Sequence, residues 1–282
     1  MKRKVILSLR FPEEFRKVIK FNVAPDARPQ VKTLLIATIL SLALWFIPYA
    51  EYLVYPFRLF VTFIHEGGHA LAAVLTGSAV ASLTVSPDTS GEVFSAASGP
   101  LAALIISSAG YVGATLFGAL LLVLIRRSFQ ARIVLAGTAV YIAALTVLFG
   151  LFLPIIHFTT ANVTFFSVMF TVAAGSLIAA SLLLVARYAT PKIASFFLSF
   201  LAVQCVLNAL FDLKTVFVMS NPFAGSHVQT DALNMYNATG VPSVFWVMAW
   251  IGISIVIVSI ALRFYAVSKN RSTVQQDLPF ED

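Results

Sequence analysis

The chain has 282 residues, of which 59% are hydrophobic and 11% are charged, and its mean hydropathy is +0.91. An average soluble domain has about 25% charged residues, so this composition excludes an ordinary soluble protein and indicates a polytopic membrane protein. The formal net charge of +7 comes largely from basic residues at the ends of apolar runs. That pattern is expected of loops that face the cytoplasm, and we therefore expect membrane lipid, and no nucleic acid, as a partner.

The two ends of the chain are polar and flank a long apolar region. Residues 1–30 are rich in lysine and arginine, and no short apolar core with a small-residue cleavage site follows them, so this segment does not resemble a cleaved secretory signal. We expect it to be a cytoplasmic arm that faces lipid headgroups. Residues 31–268 then form one membrane-embedded domain, and residues 269–282 form a polar tail.

Seven apolar runs are long enough to cross a bilayer, which takes about 20 helical residues. They lie at 31–49, 53–76, 98–125, 132–153, 163–187, 193–219 and 243–267. The flanking basic residues favour a cytoplasmic amino terminus, but three runs precede the basic loop at Arg126, where an even number of crossings is needed. One early run is therefore expected to be re-entrant, with 77–105 as the candidate. The prediction is an all-α bundle of six or seven spans.

A five-residue motif lies inside the second apolar run. Residues 65–69 read His-Glu-Gly-Gly-His. On a helix, His65 and His69 share a face and can bind one zinc ion, while Glu66 beside them can accept a proton from water. Ionisable groups are costly inside an apolar segment and usually mark a functional site. The motif therefore predicts a zinc hydrolase site within a membrane.

The stretch after this motif has a different pattern from the apolar runs. Residues 81–85 alternate between apolar and polar side chains, residues 87–91 have the composition of a turn, and residues 92–95 can pair back. We predict a small β-hairpin directly after the metal-binding helix. It either offers an edge to an extended peptide or is a simple turn between spans.

Two imidazoles leave a zinc site incomplete, because a hydrolytic zinc ion generally has three protein ligands and one open position. We expect Asp212 to be the third ligand, because it is the only acid in the run 193–219, where an unpaired carboxylate would be costly. The alternative is that Asp212 pairs with Lys214 or lies in a watery vestibule. The other donors in or beside the later runs are Asp231, His157 and His227.

Two further polar residues are candidates for binding substrate or supporting a ligand. Asn208 lies one helical turn before Asp212, where its amide could orient the carboxylate or a substrate carbonyl, although a hydrogen bond between helices would also suit it. Asp231 opens an apolar stretch, where it could cap a helix, support a ligand or serve as the alternative ligand.

Short motifs outside the His-Glu-Gly-Gly-His sequence add to this prediction between residues 55 and 250. They are Ala70-Leu71-Ala72-Ala73, Thr76-Gly77, Ser90-Gly91, residues 109–114, Phe211-Asp212-Leu213, Asp231-Ala232 and Thr239-Gly240-Val241-Pro242. Together with the first motif they resemble the site-2 protease family of zinc metallopeptidases. The resemblance is to its compact branch, which lacks PDZ and CBS domains.

This resemblance implies an integral membrane, multi-pass endopeptidase that uses Zn²⁺ to hydrolyse peptide bonds of transmembrane protein substrates. Carried over by position, it assigns zinc binding to His65, His69 and Asp212 and the role of general base to Glu66. It also implies that the strand after the motif holds an unwound substrate.

The sequence around Asp212 differs from that of better-studied family members, which place an Asn farther before the Asp and a Gly directly after it. Here Asn208 precedes Asp212 by four positions and Leu213 follows it. A non-catalytic membrane scaffold or a transporter that retains the metallopeptidase fold is therefore the alternative function. A zinc-dependent hydrolase of lipid would share the same metal chemistry.

Overall fold

The computed structural model describes residues 24–44, 46–127, 129–160, 163–219 and 229–266. Most of the predicted basic arm, the whole polar tail and the candidate ligand His227 lie outside these residues. The cytoplasmic location of the amino terminus therefore stays a prediction.

The described chain consists of helices and one β-hairpin. In chain order the elements are α1 (Arg28–Ala43), α2 (Ala50–Leu75), β1 (Ala79–Val85), β2 (Gly91–Ala96), α3 (Pro100–Arg126), α4 (Ala131–Leu145), α5 (Leu153–Ile156), α6 (Phe165–Tyr188), α7 (Pro191–Met219), α8 (Asp231–Thr239) and α9 (Ser243–Ala266). A 3-10 turn at Pro25–Ala27 precedes α1, and a π-helical stretch at Thr146–Phe152 joins α4 to α5. The predicted helical membrane bundle with a small hairpin is confirmed.

Five helical segments are long and apolar enough to cross a membrane, so the predicted count of six or seven is higher than the described residues show. Helix α1 has 16 residues, fewer than the roughly 20 that a crossing needs. Helix α2 has 26 residues but carries the ionisable side chains of the motif, which are costly to transfer into lipid. The five segments are Pro100–Arg126, Ala131–Ile156, Phe165–Tyr188, Pro191–Met219 and Ser243–Ala266.

A proline shapes the segment that supports the hairpin. Pro154 has no backbone N–H, and its ring clashes with the carbonyl four residues earlier, at Gly150. The π-helical stretch that precedes Pro154 widens the helix at this point. A Cβ at Gly150 would lie 3.0 Å from Cγ2 of Thr171 and 3.7 Å from the carbonyl oxygen of Leu83. The widened helix therefore packs closely against both α6 and β1.

The hairpin has one covered strand and one strand that faces the site. Strands β1 and β2 pair antiparallel from Ala79 opposite Ala96 to Val85 opposite Gly91, with an irregularity between Val80 and Ser82. The Val85 N–H donates a hydrogen bond of 2.8 Å to Oγ1 of Thr171 on α6. Helix α6 therefore covers the outer edge of β1.

Helix α3 lies centrally among the described helices and packs against α2, α7, α8 and α9. The core around it contains large side chains that are almost fully buried, such as Phe60, Phe63, Leu121 and Leu201. This arrangement brings the motif helix α2 and the start of α8 to neighbouring positions on α3.

Candidate metal centre

The two histidines of the motif lie one turn apart on α2, with their Nε2 atoms 3.0 Å from each other. The Nδ1 atom of His69 lies 2.6 Å from the carbonyl oxygen of Ile106 on α3. Because a carbonyl can only accept a hydrogen bond, Nδ1 must be the donor, which leaves the Nε2 lone pair of neutral His69 available for a metal. Helix α3 therefore sets both the tautomer and the orientation of this imidazole.

Glycines allow α2 and α3 to approach each other at this point. A Cβ at Gly68 would overlap the backbone carbonyl of Ala109, and a Cβ at Gly110 would overlap the Nε2 atoms of both His65 and His69. The space in front of the two imidazoles therefore exists only because residue 110 has no side chain.

Asp231 is the carboxylate that reaches the two histidines. Its Oδ2 lies 3.4 Å from Nε2 of His65 and 3.3 Å from Nε2 of His69. Asp231 is the first residue of α8, and the Thr230 side chain before it accepts a hydrogen bond from the Leu233 N–H. Burial disfavours the charged form of Asp231, but the two imidazoles hold its pKa well below its usual range. The carboxylate also gains from its position at a helix amino terminus.

The geometry of these three side chains fits a zinc ion. Zinc bonds to imidazole nitrogen or carboxylate oxygen are about 2.0–2.2 Å long, so two ligand atoms of a tetrahedral ion are roughly 3.3 Å apart. The three separations here are 3.0, 3.3 and 3.4 Å. Two imidazoles and one carboxylate are also a donor set that catalytic zinc uses, with a fourth position left open. His65, His69 and Asp231 could therefore hold zinc.

Glu66 lies beside this group in a cavity of about 700 Å³. Its side chain is 5% exposed, lines the cavity and accepts no hydrogen bond from any residue that the structure describes. The start of β2 covers it closely, since a Cβ at Gly91 would lie 2.6 Å from both Cγ and Oε1 of Glu66. The carboxylate is therefore held in place by packing and remains open to a ligand in the cavity.

The structure places Asp212, the expected third ligand, elsewhere in the same cavity. Asp212 lines the cavity wall near the end of α7 but does not belong to the group of donors that lie within 4.8 Å of one another. That group contains Asp231 together with His65 and His69. Among the described residues the chain returns to the site after α7, and the first residue of α8 lies beside the imidazoles. Metal binding by Asp212 stays a prediction, and Asp231 is the better-placed donor.

Two other candidates do not reach the metal centre. The side-chain amide of Asn208 donates hydrogen bonds to the backbone carbonyl and the side-chain oxygen of Gln204, at 2.9 and 3.0 Å, and Asn208 does not line the cavity. His157 lies in the turn after α5, also away from the cavity. The amide of Asn208 thus bonds within α7, and a role for it in binding substrate or supporting a ligand stays a prediction.

Sequence reasoning did not identify α3 as a wall of the site and ranked Asp231 below Asp212. The sequence contained a signal for Asp231, because Thr230 directly before it is a favourable N-cap residue for a helix that begins at Asp231. Gly110 and Tyr111 belong to the motif at 109–114 that contributed to the family resemblance, but nothing in that motif indicated their place in the site, which depends on packing.

Comparison with known proteins agrees with the expected family. A search of the curated proteins and of the solved structures found no match to this chain. The family model described as Peptidase M50B-like matches residues 35–261. This range contains α2, the hairpin, α3 and Asp231, and so every part of the candidate metal centre. Because the match covers most of the chain and agrees with the predicted site-2 protease resemblance, the protein belongs to the Peptidase M50B-like family of membrane metallopeptidases.

Proposed function

We propose that this protein is a zinc-dependent endopeptidase that hydrolyses peptide bonds of transmembrane proteins within or near the bilayer. The observation that carries this proposal is the convergence of His65, His69 and Asp231 in one cavity with the carboxylate of Glu66, which accepts no hydrogen bond from the described residues. Family membership supports a peptidase in general.

Each of these four side chains has a role in the proposed reaction. His65, His69 and Asp231 would hold zinc, which when bound polarises a carbonyl group and makes water more acidic. Glu66 takes one proton from the attacking water, whose oxygen forms a bond to the peptide carbonyl carbon. Glu66 then passes the proton to the amine nitrogen as the C–N bond breaks. The products are a carboxylic acid, which keeps the second proton of the water, and an amine, and Glu66 returns to its ionised starting state.

The hairpin offers a way to present an unwound peptide to these groups. Gly91, Val93 and Ser95 of β2 line the cavity, and within the described chain the sheet has only two strands, so the second edge of β2 is unpaired. An extended peptide can add to such an edge through main-chain hydrogen bonds. Since the carbonyls and N–H groups of a helix are already bonded to each other, a transmembrane substrate must unwind before cleavage, and β2 replaces the hydrogen bonds that it loses.

The alternative function, a non-catalytic scaffold or transporter, was motivated by the unusual sequence around Asp212. In the proposed site Asp231 lies beside the imidazoles, so the proposal does not depend on the sequence around Asp212. Hydrolysis of lipid remains an outcome that the assay must separate from hydrolysis of peptide.

The proposal is tested by zinc analysis and cleavage of the full chain purified in detergent and returned to lipid vesicles. We expect close to one zinc ion per wild-type chain, and cleavage of single-pass membrane test proteins that carry a tag at each end. His65→Ala should lose zinc and cleavage, while Glu66→Gln should keep zinc and lose cleavage. His157→Ala, which removes a histidine outside the cavity, is the matched control and should behave as wild type.

Three results would contradict the proposal. They are a wild-type chain without zinc, a Glu66→Gln chain that cleaves as fast as wild type, and release of fatty acid from the vesicles without cleavage of any test protein. The last result would assign the site to lipid hydrolysis.

A further inference from the structure

Tyr111 is a rigidly held aromatic residue beside the candidate metal centre. It follows Gly110 on α3, and its ring meets the ring of His65 edge to face with centroids 4.6 Å apart. A second aromatic neighbour is the ring of Trp250 on α9, at 5.3 Å, and the indole N–H of Trp250 donates to Oγ of Ser108 at 3.1 Å. Only 6% of Tyr111 is exposed. The ring is therefore fixed by packing on two sides.

The hydroxyl of Tyr111 has no hydrogen-bond partner among the residues that the structure describes. Buried tyrosine hydroxyls usually have a partner, so an exception calls for an explanation. The oxygen is not sealed off, because it is absent from the fully buried unpartnered atoms, and Tyr111 lines the same cavity as Glu66. The cavity is also lined by Asp212 and Asp231. The hydroxyl therefore opens toward the space where the reaction is proposed to occur.

We propose that the Tyr111 hydroxyl is a catalytic hydrogen-bond donor to the oxygen of the peptide carbonyl under attack, an inference that rests on the proposed peptidase function. When water adds to the carbonyl carbon, the carbonyl oxygen becomes negatively charged. A donor held in place before the reaction stabilises this oxygen more strongly than it stabilises the neutral carbonyl.

The chemistry of a phenol suits this role. With an ordinary pKa of about 10, a tyrosine hydroxyl is protonated at neutral pH and can donate one hydrogen bond without changing its charge. The two aromatic contacts fix the ring, so little entropy is lost when the hydroxyl meets the substrate. Glu66 cannot supply this donor in the first step, because it must be ionised to accept the proton from water.

The decisive experiment compares Tyr111→Phe with wild type in the cleavage assay for single-pass membrane test proteins. The phenylalanine ring preserves the contacts with His65 and Trp250 and removes only the hydroxyl. We expect kcat to fall by on the order of 10²- to 10³-fold, as for loss of one oxyanion donor, with KM and zinc content unchanged. Tyr265→Phe is the control, because its hydroxyl donates to the carbonyl of Gln30 outside the cavity, and it should leave kcat unchanged.

Each other result overturns the inference in a distinguishable way. If wild type cleaves and Tyr111→Phe cleaves at the same rate, the hydroxyl has no catalytic role and the proposed function stands. If Tyr111→Phe loses zinc, the residue supports the metal site and does not act on the substrate. If KM rises with kcat unchanged, the hydroxyl binds the substrate and the transition state equally. If wild type cleaves no test protein, the proposed function and this role fall together.

Discussion

Asp212 and Asp231 are two acids that line one cavity but lie in different local settings. Asp212 is near the end of α7, a long apolar helix that can cross the membrane, whereas Asp231 is the first residue of the short helix α8. Only Asp231 comes within 3.4 Å of the imidazoles. Asp212, whose burial the sequence suggested to be more costly, is thus not the acid that lies beside the histidines.

The difference shows that the position of a carboxylate relative to a helix end can matter more than the hydropathy of its surroundings. Asp212 projects from the side of α7 and lines the cavity without joining the two histidines. Asp231 keeps 18% of its side chain exposed, and its Oδ2 lies close to both imidazoles at the amino terminus of α8. An acid that lies beside two imidazoles at a helix amino terminus is the better candidate for a metal ligand.

The largest effect is expected for Asp231→Ala, which tests most directly whether Asp231 is a metal ligand. Loss of a residue that hydrogen-bonds to a metal ligand typically lowers zinc affinity or activity by roughly 10- to 100-fold. Loss of a direct ligand should lower zinc affinity and cleavage by more than that. Zinc titration of the detergent-purified chain and the cleavage assay measure these two quantities. An Asp231→Ala chain with wild-type zinc affinity would remove Asp231 from the ligand set.

A comparable loss is expected for Gly110→Ala, which tests the α3 side of the same centre. The added methyl group would overlap both Nε2 atoms and fill the position of the metal. The matched control is Gly113→Ala, one turn further along α3, where the nearest atom to a new Cβ is Cα of Gly68 at 3.5 Å. We expect zinc content near zero for the first variant and near wild type for the second. Equal zinc content in the two would contradict the proposed metal position.

Asp212→Asn should have a smaller effect that sharpens the contrast between the two acids. Asp212 lines the cavity without contacting the imidazoles, so we expect zinc affinity to change by less than about tenfold, below the range for groups that hold a ligand in place. The same zinc titration measures the zinc affinities of Asp212→Asn and Asp231→Asn for comparison. A larger loss for Asp212→Asn than for Asp231→Asn would restore the original assignment.

The smallest effect is expected for Asn208→Ala. Among the described residues its amide bonds to Gln204 alone, so the change should cost about 1 kcal/mol of stability and leave zinc content and cleavage unaltered. Thermal unfolding in detergent measures the first quantity, and the zinc and cleavage assays measure the second. Loss of cleavage with normal thermal stability would return Asn208 to a role in substrate binding.

Much of the fold could be predicted from local patterns. The apolar runs predicted the long helices, and the alternation at 81–85 with the turn composition at 87–91 predicted the hairpin, because both signals depend on residues that are close in sequence. The predicted count of six or seven spans is higher than the five that the described residues show, because helix α1 has only 16 residues and α2 carries the ionisable side chains of the motif.

The amino-acid sequence was enough to show that this chain is a membrane protein and that His65 and His69 lie on one helical face next to Glu66, since a spacing of four residues on a helix places both imidazoles on the same face. Only the tertiary structure shows that Asp231 lies beside these histidines, that Gly110 leaves room for a metal and that the Tyr111 hydroxyl opens into the cavity. These residues lie far apart in the chain, and their meeting depends on how α2, α3 and α8 pack. The pattern of residues that are neighbours in sequence does not show how distant helices pack.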